Sequence, residues 1–246
     1  MALLAAAFFL PLFPLSMALN AVLRRLRNPA ARAVLLLLWP QLGVLSLQMA
    51  PHAPPQYFLP WALLTSGLYA LRLLTVRDMD LWAGFLATSA LALTWALAVG
   101  GADPADLHLF AFWLSAPPAL AALLAGSLTS RFGAAYAGLQ GGLIGSLPRL
   151  SGALTMTVLA AVATPPFSGF FALLRLLNTL DWMAALGVLT IWLLWGWAAT
   201  CLLQGFIFGA ARPVAHADIG WTPTLALAGL LGLFAAAGLY LTGGGL

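Results

Sequence analysis

The sequence predicts an all-α fold, a polytopic transmembrane helix bundle, and three observations carry that expectation. Of 246 residues, 63% are hydrophobic and only 7% charged, whereas an ordinary soluble domain carries roughly a quarter of its residues as charges. Apolar runs recur, each of about 20 residues and long enough to cross roughly 30 Å of hydrocarbon as a helix. The charges are also segregated. All ten basic residues are arginine and all six acidic residues aspartate, and almost all of them fall between the runs. A membrane barrel would instead alternate polar and apolar residues over strands of about ten. The +4 net charge is no nucleic-acid signature, because the arginines sit in short loops. The single cysteine, Cys201, excludes an intrachain disulfide and a cysteine-based metal cluster.

Taken in order, the runs predict eight spans at about 3–23, 33–49, 57–76, 81–100, 107–128, 150–177, 183–208 and 221–241. The first lacks the basic start of a secretory signal and is followed at once by arginines, so it reads as a retained span. The second is short. The third carries Arg72 just inside its end, an interfacial anchor. The fifth contains Pro117-Pro118, which predicts a kink, and His108 opens it beside Asp103 and Asp106. That trio suits either plain solvation or a metal or proton relay, but no second histidine stands at ligand spacing. The Gly-rich stretch 129–149 follows no strand and is no nucleotide loop. The sixth run is long and is interrupted by Pro165-Pro166-Phe167-Ser168-Gly169-Phe170. Proline removes a backbone donor, and a membrane tolerates the break only against protein or a water-lined cavity. Such discontinuous helices mark substrate or ion sites in transporters, with a structural kink as the alternative. No soluble domain is evident, so residues 1–246 form a single transmembrane domain.

Arg24, Arg25, Arg27, Arg32, Arg72, Arg77, Arg131, Arg149 and Arg212 all fall on one side of an eight-span arrangement. Arg175 lies near the other side, with Asp103, Asp106 and Asp181. The positive-inside rule then places the odd-numbered loops in the cytoplasm and both termini outside. Polar residues within spans are expensive and are functional candidates by default: Arg175, Arg72 and Ser115. Arg175 either snorkels to the outer interface or pairs with Asp181, lines a hydrated path, or touches a partner subunit. Several of the ten tryptophans stand near span ends, as an interfacial belt would place them. Trp39, Trp61, Trp82 and Trp113 are candidates for partner or lipid contacts.

Gly141-Gly142-Leu143 followed by Leu147-Pro148, then the Pro165–Phe170 motif, then Phe206-Ile207-Phe208-Gly209 resembles the antiporter-like, proton-translocating membrane subunits of respiratory complex I and its relatives. These relatives include the multi-subunit cation/proton antiporters, the membrane-bound hydrogenases and the two-part inorganic-carbon uptake systems. The resemblance implies that residues 1–49 are the opening helix pair and 57–241 a six-helix part like the C-terminal half of those subunits. It also implies that a first repeat is missing. The family places Lys or Glu three residues after the Gly-Phe of the broken helix, where this chain has Leu173. It places His or Lys midway along the preceding helix, where this chain has Ala116. Arginine does not deprotonate usefully and replaces neither.

The sequence therefore predicts a non-catalytic subunit of a proton- or ion-coupled membrane complex, respiratory, hydrogenase-like or for inorganic carbon, in a prokaryotic inner membrane. It supports a larger antiporter-like subunit and contacts lipid, with a peripheral enzyme subunit as a further partner. No nucleic acid, cofactor, metal or catalytic residue is implied. Proton or sodium passage through water around the broken helix, or a small transporter working alone, are the alternatives.

Overall fold

The computed structural model describes residues 1–139, 141–209 and 216–243, the last three of these by backbone alone; Arg212 lies outside the described residues. The elements in chain order are α1 (Ala2–Phe9), α2 (Ser16–Arg25), α3 (Pro29–Gln48), α4 (Phe58–Leu73), α5 (Met79–Ala92), α6 (Thr94–Val99), α7 (Pro104–Phe132), α8 (Leu143–Ser146), α9 (Pro148–Ala161), α10 (Ser168–Thr179), α11 (Trp182–Ile207) and α12 (Trp221–Gly243). There is no β-strand among the described residues, so the fold is all-α. Among the described residues five helical stretches are long and apolar enough to cross a membrane: Pro29–Gln48, Met79–Val99, Pro104–Phe132, Trp182–Ile207 and Trp221–Tyr240. The chain is an integral membrane protein.

The starts of the helices are written locally. Asn28 accepts hydrogen bonds from Ala30 N and Ala31 N ahead of Pro29, and Asp78 does the same for Asp80 N and Leu81 N. These are N-caps that satisfy orphan donors at a helix start. Asp181 accepts from Ala184 N at the start of α11. Gly133, with φ 80°, ends α7 in the left-handed conformation that glycine tolerates.

One expectation fails here. The first apolar run is two helices, because Pro11 and Pro14 sit where a continuous helix needs backbone donors, and the chain leaves helix between Phe9 and Ser16. The fifth run is helical throughout: α7 continues through Pro117 and Pro118 for 29 residues.

α5 and α7 form the centre. The most apolar window of Met79–Val99 is 89% buried, against 17% for that of Trp221–Tyr240, so α12 is a peripheral helix. α3, α4 and α9 pack around the centre, α1 lies on α3, α11 on α4 and α9, and α10 on α12. Lipid tails are as apolar as leucine, so this packing rests on dispersion and close approach more than on water exclusion. Small residues provide that approach. A Cβ on Gly126 would lie 2.3 Å from Pro29 Cγ, which locks α7 to the start of α3.

The connecting segments gather at two ends. At one, Met79 N donates to Ala135 O (2.9 Å), Ala137 N to Arg77 O (2.8 Å), Gly138 N to Gly205 O (2.9 Å) and Gly142 N to Phe208 O (3.1 Å). Arg32 pairs with Asp80, and Arg149 NH1 donates to Ile219 O (3.2 Å) and Arg131 Nε to Ala217 O (3.3 Å). The arginine-bearing connections thus share one end. Arg175 and Asp106 meet at the other.

Candidate functional site

The run at 150–177 is carried by α9 and α10, with residues 162–167 between them. Pro165 and Pro166 lack N–H groups, so the carbonyls of Ala161 and Val162, four residues earlier, lose their helical donors. Trp192 of α11 donates to Val162 O (3.0 Å). Thr164 folds back on Leu159 O through both its N–H (3.2 Å) and its hydroxyl (3.0 Å). Ala163 takes φ 56°, an uncommon conformation for a residue with a Cβ.

One flank of the break is packed. Phe167 joins Ala116 and Leu120 of α7, Ala160 of α9 and Leu231 and Phe234 of α12 in a small apolar cluster. Ser168 and Gly169 are buried, and a Cβ on Gly169 would lie 3.6 Å from Leu114 Cδ2. The prolines themselves are exposed. The break therefore meets α7 beside Ser115 and Ala116. Ser115 is buried but its hydroxyl returns to Phe112 O of its own helix (3.2 Å). Leu173 is fully buried and belongs to the main core, apart from the Ala116 cluster.

Arg175 does not pair with Asp181. Its two terminal nitrogens hold both oxygens of Asp106, at 2.8 and 2.5 Å, because the first turn of α7 lies across from α10 while Asp181 is occupied capping α11. The Arg175 side chain is 61% exposed. Arg72 is exposed at the end of α4, with its guanidinium over the Tyr69 and Phe85 rings, an arrangement worth about 0.5–1 kcal/mol at such a site. His108 turns from the aspartates to α3. Its Nδ1 lies 2.6 Å from Gln41 Oε1 and its Nε2 2.9 Å from Gln48 Nε2. No group of three or more His, Cys, Asp or Glu able to hold a metal occurs among the described residues.

Of the four tryptophans expected at partner or lipid contacts, one departs from that expectation. Trp82 is fully buried. Trp39 donates to Phe8 O (3.3 Å), Trp61 to Phe13 O (2.7 Å) and Trp95 to Leu10 O (3.0 Å), so three indoles serve carbonyls at the gap after α1. Trp113 is half-buried and packs on Phe234.

A buried polar row across α2, α4, α5 and α11 is not evident from the sequence. Ser16 meets the Tyr69 hydroxyl (3.0 Å), and Asn20 Nδ2 donates to Thr88 (3.0 Å) and to Ser16 O (3.0 Å). Ser66 meets Ser89 (3.1 Å), which also accepts from Trp195 (2.9 Å). The one sequence signal was Asn20 inside an apolar run. The Gly-rich motif, by contrast, meets the later one directly: a Cβ on Gly141 would lie 2.8 Å from Phe208 O. The Gly-Gly and Phe-Gly elements thus form one joint between α8 and the end of α11.

No protein-family model matches the sequence, and comparison with curated proteins gives no match. Solved structures do match. A chain of the membrane-bound sulfane sulfur reductase, an archaeal respiratory membrane complex, is 16% identical with TM-score 0.82, over 96% of this chain and 51% of that one. A chain of the Mrp complex from Dietzia sp. DQ12-45-1b is 16% identical with TM-score 0.80, over 96% and 55%. A chain of respiratory complex I from Thermus thermophilus with bound NADH is 23% identical with TM-score 0.70, over 99% and 58%. This chain thus spans little more than half the length of each. The resemblance carried by the glycine and proline motifs extends to the fold, which is that of the antiporter-like membrane subunits over about half their length.

Proposed function

We propose that this chain is a non-catalytic integral subunit of a larger ion-coupled membrane complex, where it supports a full-length antiporter-like subunit. The observation that carries this reading is a fold shared with chains of three such complexes in which the two family relay positions are Leu173 and Ala116, both buried among apolar side chains. A relay needs groups that gain and lose protons, and a charge held alone in hydrocarbon costs several kcal/mol. The pumping then belongs to the partner. In the bilayer the chain makes eight spans, with α9 and α10 as the two halves of one discontinuous span. The arginine end is cytoplasmic and both termini are outside, in a prokaryotic inner membrane.

The exposed Pro165 and Pro166 favour a second reading, in which water at the break carries protons or sodium with Arg175 setting the local field. Purification in mild detergent tests the first reading: a larger membrane subunit should be retained, and ion flux by the isolated chain in vesicles sinks it. Replacing Arg175 by Gln in the assembled complex separates the two. Lost transport with intact assembly supports the second reading, and unchanged transport the first. Cysteine labelling at residues 24–32 and at 101–103 tests the orientation; label reaching the first of these from outside reverses it.

A further inference from the structure

At the arginine end, α2, α3, α5 and α7 enclose a cavity of about 270 Å³ lined by Asn20, Arg24, Arg32, Asp78 and Asp80, with Leu36 among its apolar walls. Its side chains are unevenly satisfied. Arg32 is spent on Asp80 and on Leu26 O. Arg24 is exposed, and among the described residues it forms no ion pair or hydrogen bond. Opposite it, acceptors are in excess. Asp80 Oδ1 is enclosed without a donor. Asp78 uses Oδ1 for its cap, which leaves its second oxygen without a donor among the described residues. Asn20, 7% exposed, gives both its bonds through Nδ2, so its oxygen accepts none among the described residues.

We propose that this cavity holds the headgroup of an aminophospholipid, with the phosphate on Arg24 and the primary ammonium on the free oxygens of Asp78 and Asn20, while Asp80 stays paired with Arg32 behind them. Two arginines face two aspartates, so the lining is formally neutral. A lone cation or a lone anion would leave one arginine or one aspartate of this partly buried, formally neutral lining without its counter-charge, which is unfavourable. A zwitterion adds no net charge and meets each wall with the opposite sign. A primary ammonium is favoured over a quaternary one because the wall lacks N–H donors, and only the primary amine supplies three. The mouth at Arg24 lies among the chain's arginine-bearing segments, the level at which headgroups stand in a bilayer. The inference needs the chain to be membrane-embedded and is independent of its role in a complex.

The test places the purified protein in bilayers of equal phosphatidylethanolamine, phosphatidylcholine and phosphatidylglycerol, and measures by native mass spectrometry which lipid survives stepwise delipidation. Phosphatidylethanolamine should be retained over phosphatidylcholine by about tenfold or more, the worth of a charge-assisted hydrogen bond. The N-methylated and N,N-dimethylated lipids should fall between. Arg24→Gln and Asp78→Asn should each erase most of that preference. Both variants are expected to fold, since Arg24 is unpaired and asparagine caps as well as aspartate. Asp103→Asn at the other end should leave the preference intact. Equal retention of the three lipids overturns the proposal, as does preference for phosphatidylglycerol, which marks only a positive surface. Full preference in both variants, or free phosphoethanolamine binding as tightly as the lipid, overturns it too.

Discussion

Two gaps of six residues interrupt apolar runs among the described residues, at 10–15 and 162–167, and they are finished differently. At the first, the carbonyls of Leu10 and Phe13 receive Trp95 and Trp61, Phe13 N donates to the Thr65 hydroxyl (3.1 Å), and Leu10 and Leu12 are fully buried. The partners of residues 10 and 13 come from α4 and α6, so the gap is sutured into the core. At the second, one indole and one threonine serve the carbonyls, and both prolines stay exposed. The contrast separates a break that the bundle consumes for its own packing from one that it leaves accessible at its surface. Hydrocarbon tolerates neither unless the freed carbonyls find donors, and in both gaps a tryptophan supplies one.

The largest effect that bears on this contrast is expected from Leu173→Glu, just beyond the second gap. The site is fully buried, and an unpaired charge in such surroundings costs several kcal/mol, so no folded protein should be recovered in mild detergent. Leu173→Met should be recovered at near-normal yield, because volume-conserving swaps cost less than about 1.5 kcal/mol. Normal yield of L173E would mean that water reaches the core through the second gap. Next comes Trp95→Phe, which strands Leu10 O inside the protein and should lower stability by about 1–3 kcal/mol, read as a drop in Tm. Trp192→Phe should cost less, about 1 kcal/mol, since Trp192 is only half-buried; the reverse order would erase the distinction between the gaps. Smallest is Arg175→Gln. That exposed ion pair is worth less than about 1 kcal/mol and weakens further with salt, so Tm should barely move in high-salt buffer. The charge-swapped pair Arg175→Asp with Asp106→Arg should match the native chain.

What the sequence made legible follows from what sequence distance can carry. Apolar run length and the spacing of arginines are local, and they anticipated the all-α membrane fold and the shared end for the arginine-bearing connections. Pro165-Pro166 is local too. Pro11 and Pro14 offered the same clue, but the leucines and phenylalanines around them read as one uninterrupted run. The partners of polar groups were not legible, because they are set by packing between helices distant in sequence. Arg175 finds Asp106 at a separation of 69 residues rather than Asp181 at six, and Asn20 finds Thr88 at 68. The bonds of the indoles were hidden for a related reason. An indole near a span end suits a headgroup belt, and only the approach of α3 to α1, and of α4 and α6 to the gap after it, shows its N–H to be committed to a carbonyl.

The suture of the first gap has a consequence for biosynthesis. Leu10 O waits for Trp95, 85 residues later in the chain, and Phe13 O for Trp61, 48 residues later. At ~5–20 residues per second the ribosome needs roughly 4–17 s to deliver Trp95. Until then the nascent amino-terminal segment has bare carbonyls that hydrocarbon would not accept, so it must linger in the insertion machinery or at the wet bilayer surface. Its final burial is a late event, set by the emergence of α6 rather than by its own synthesis.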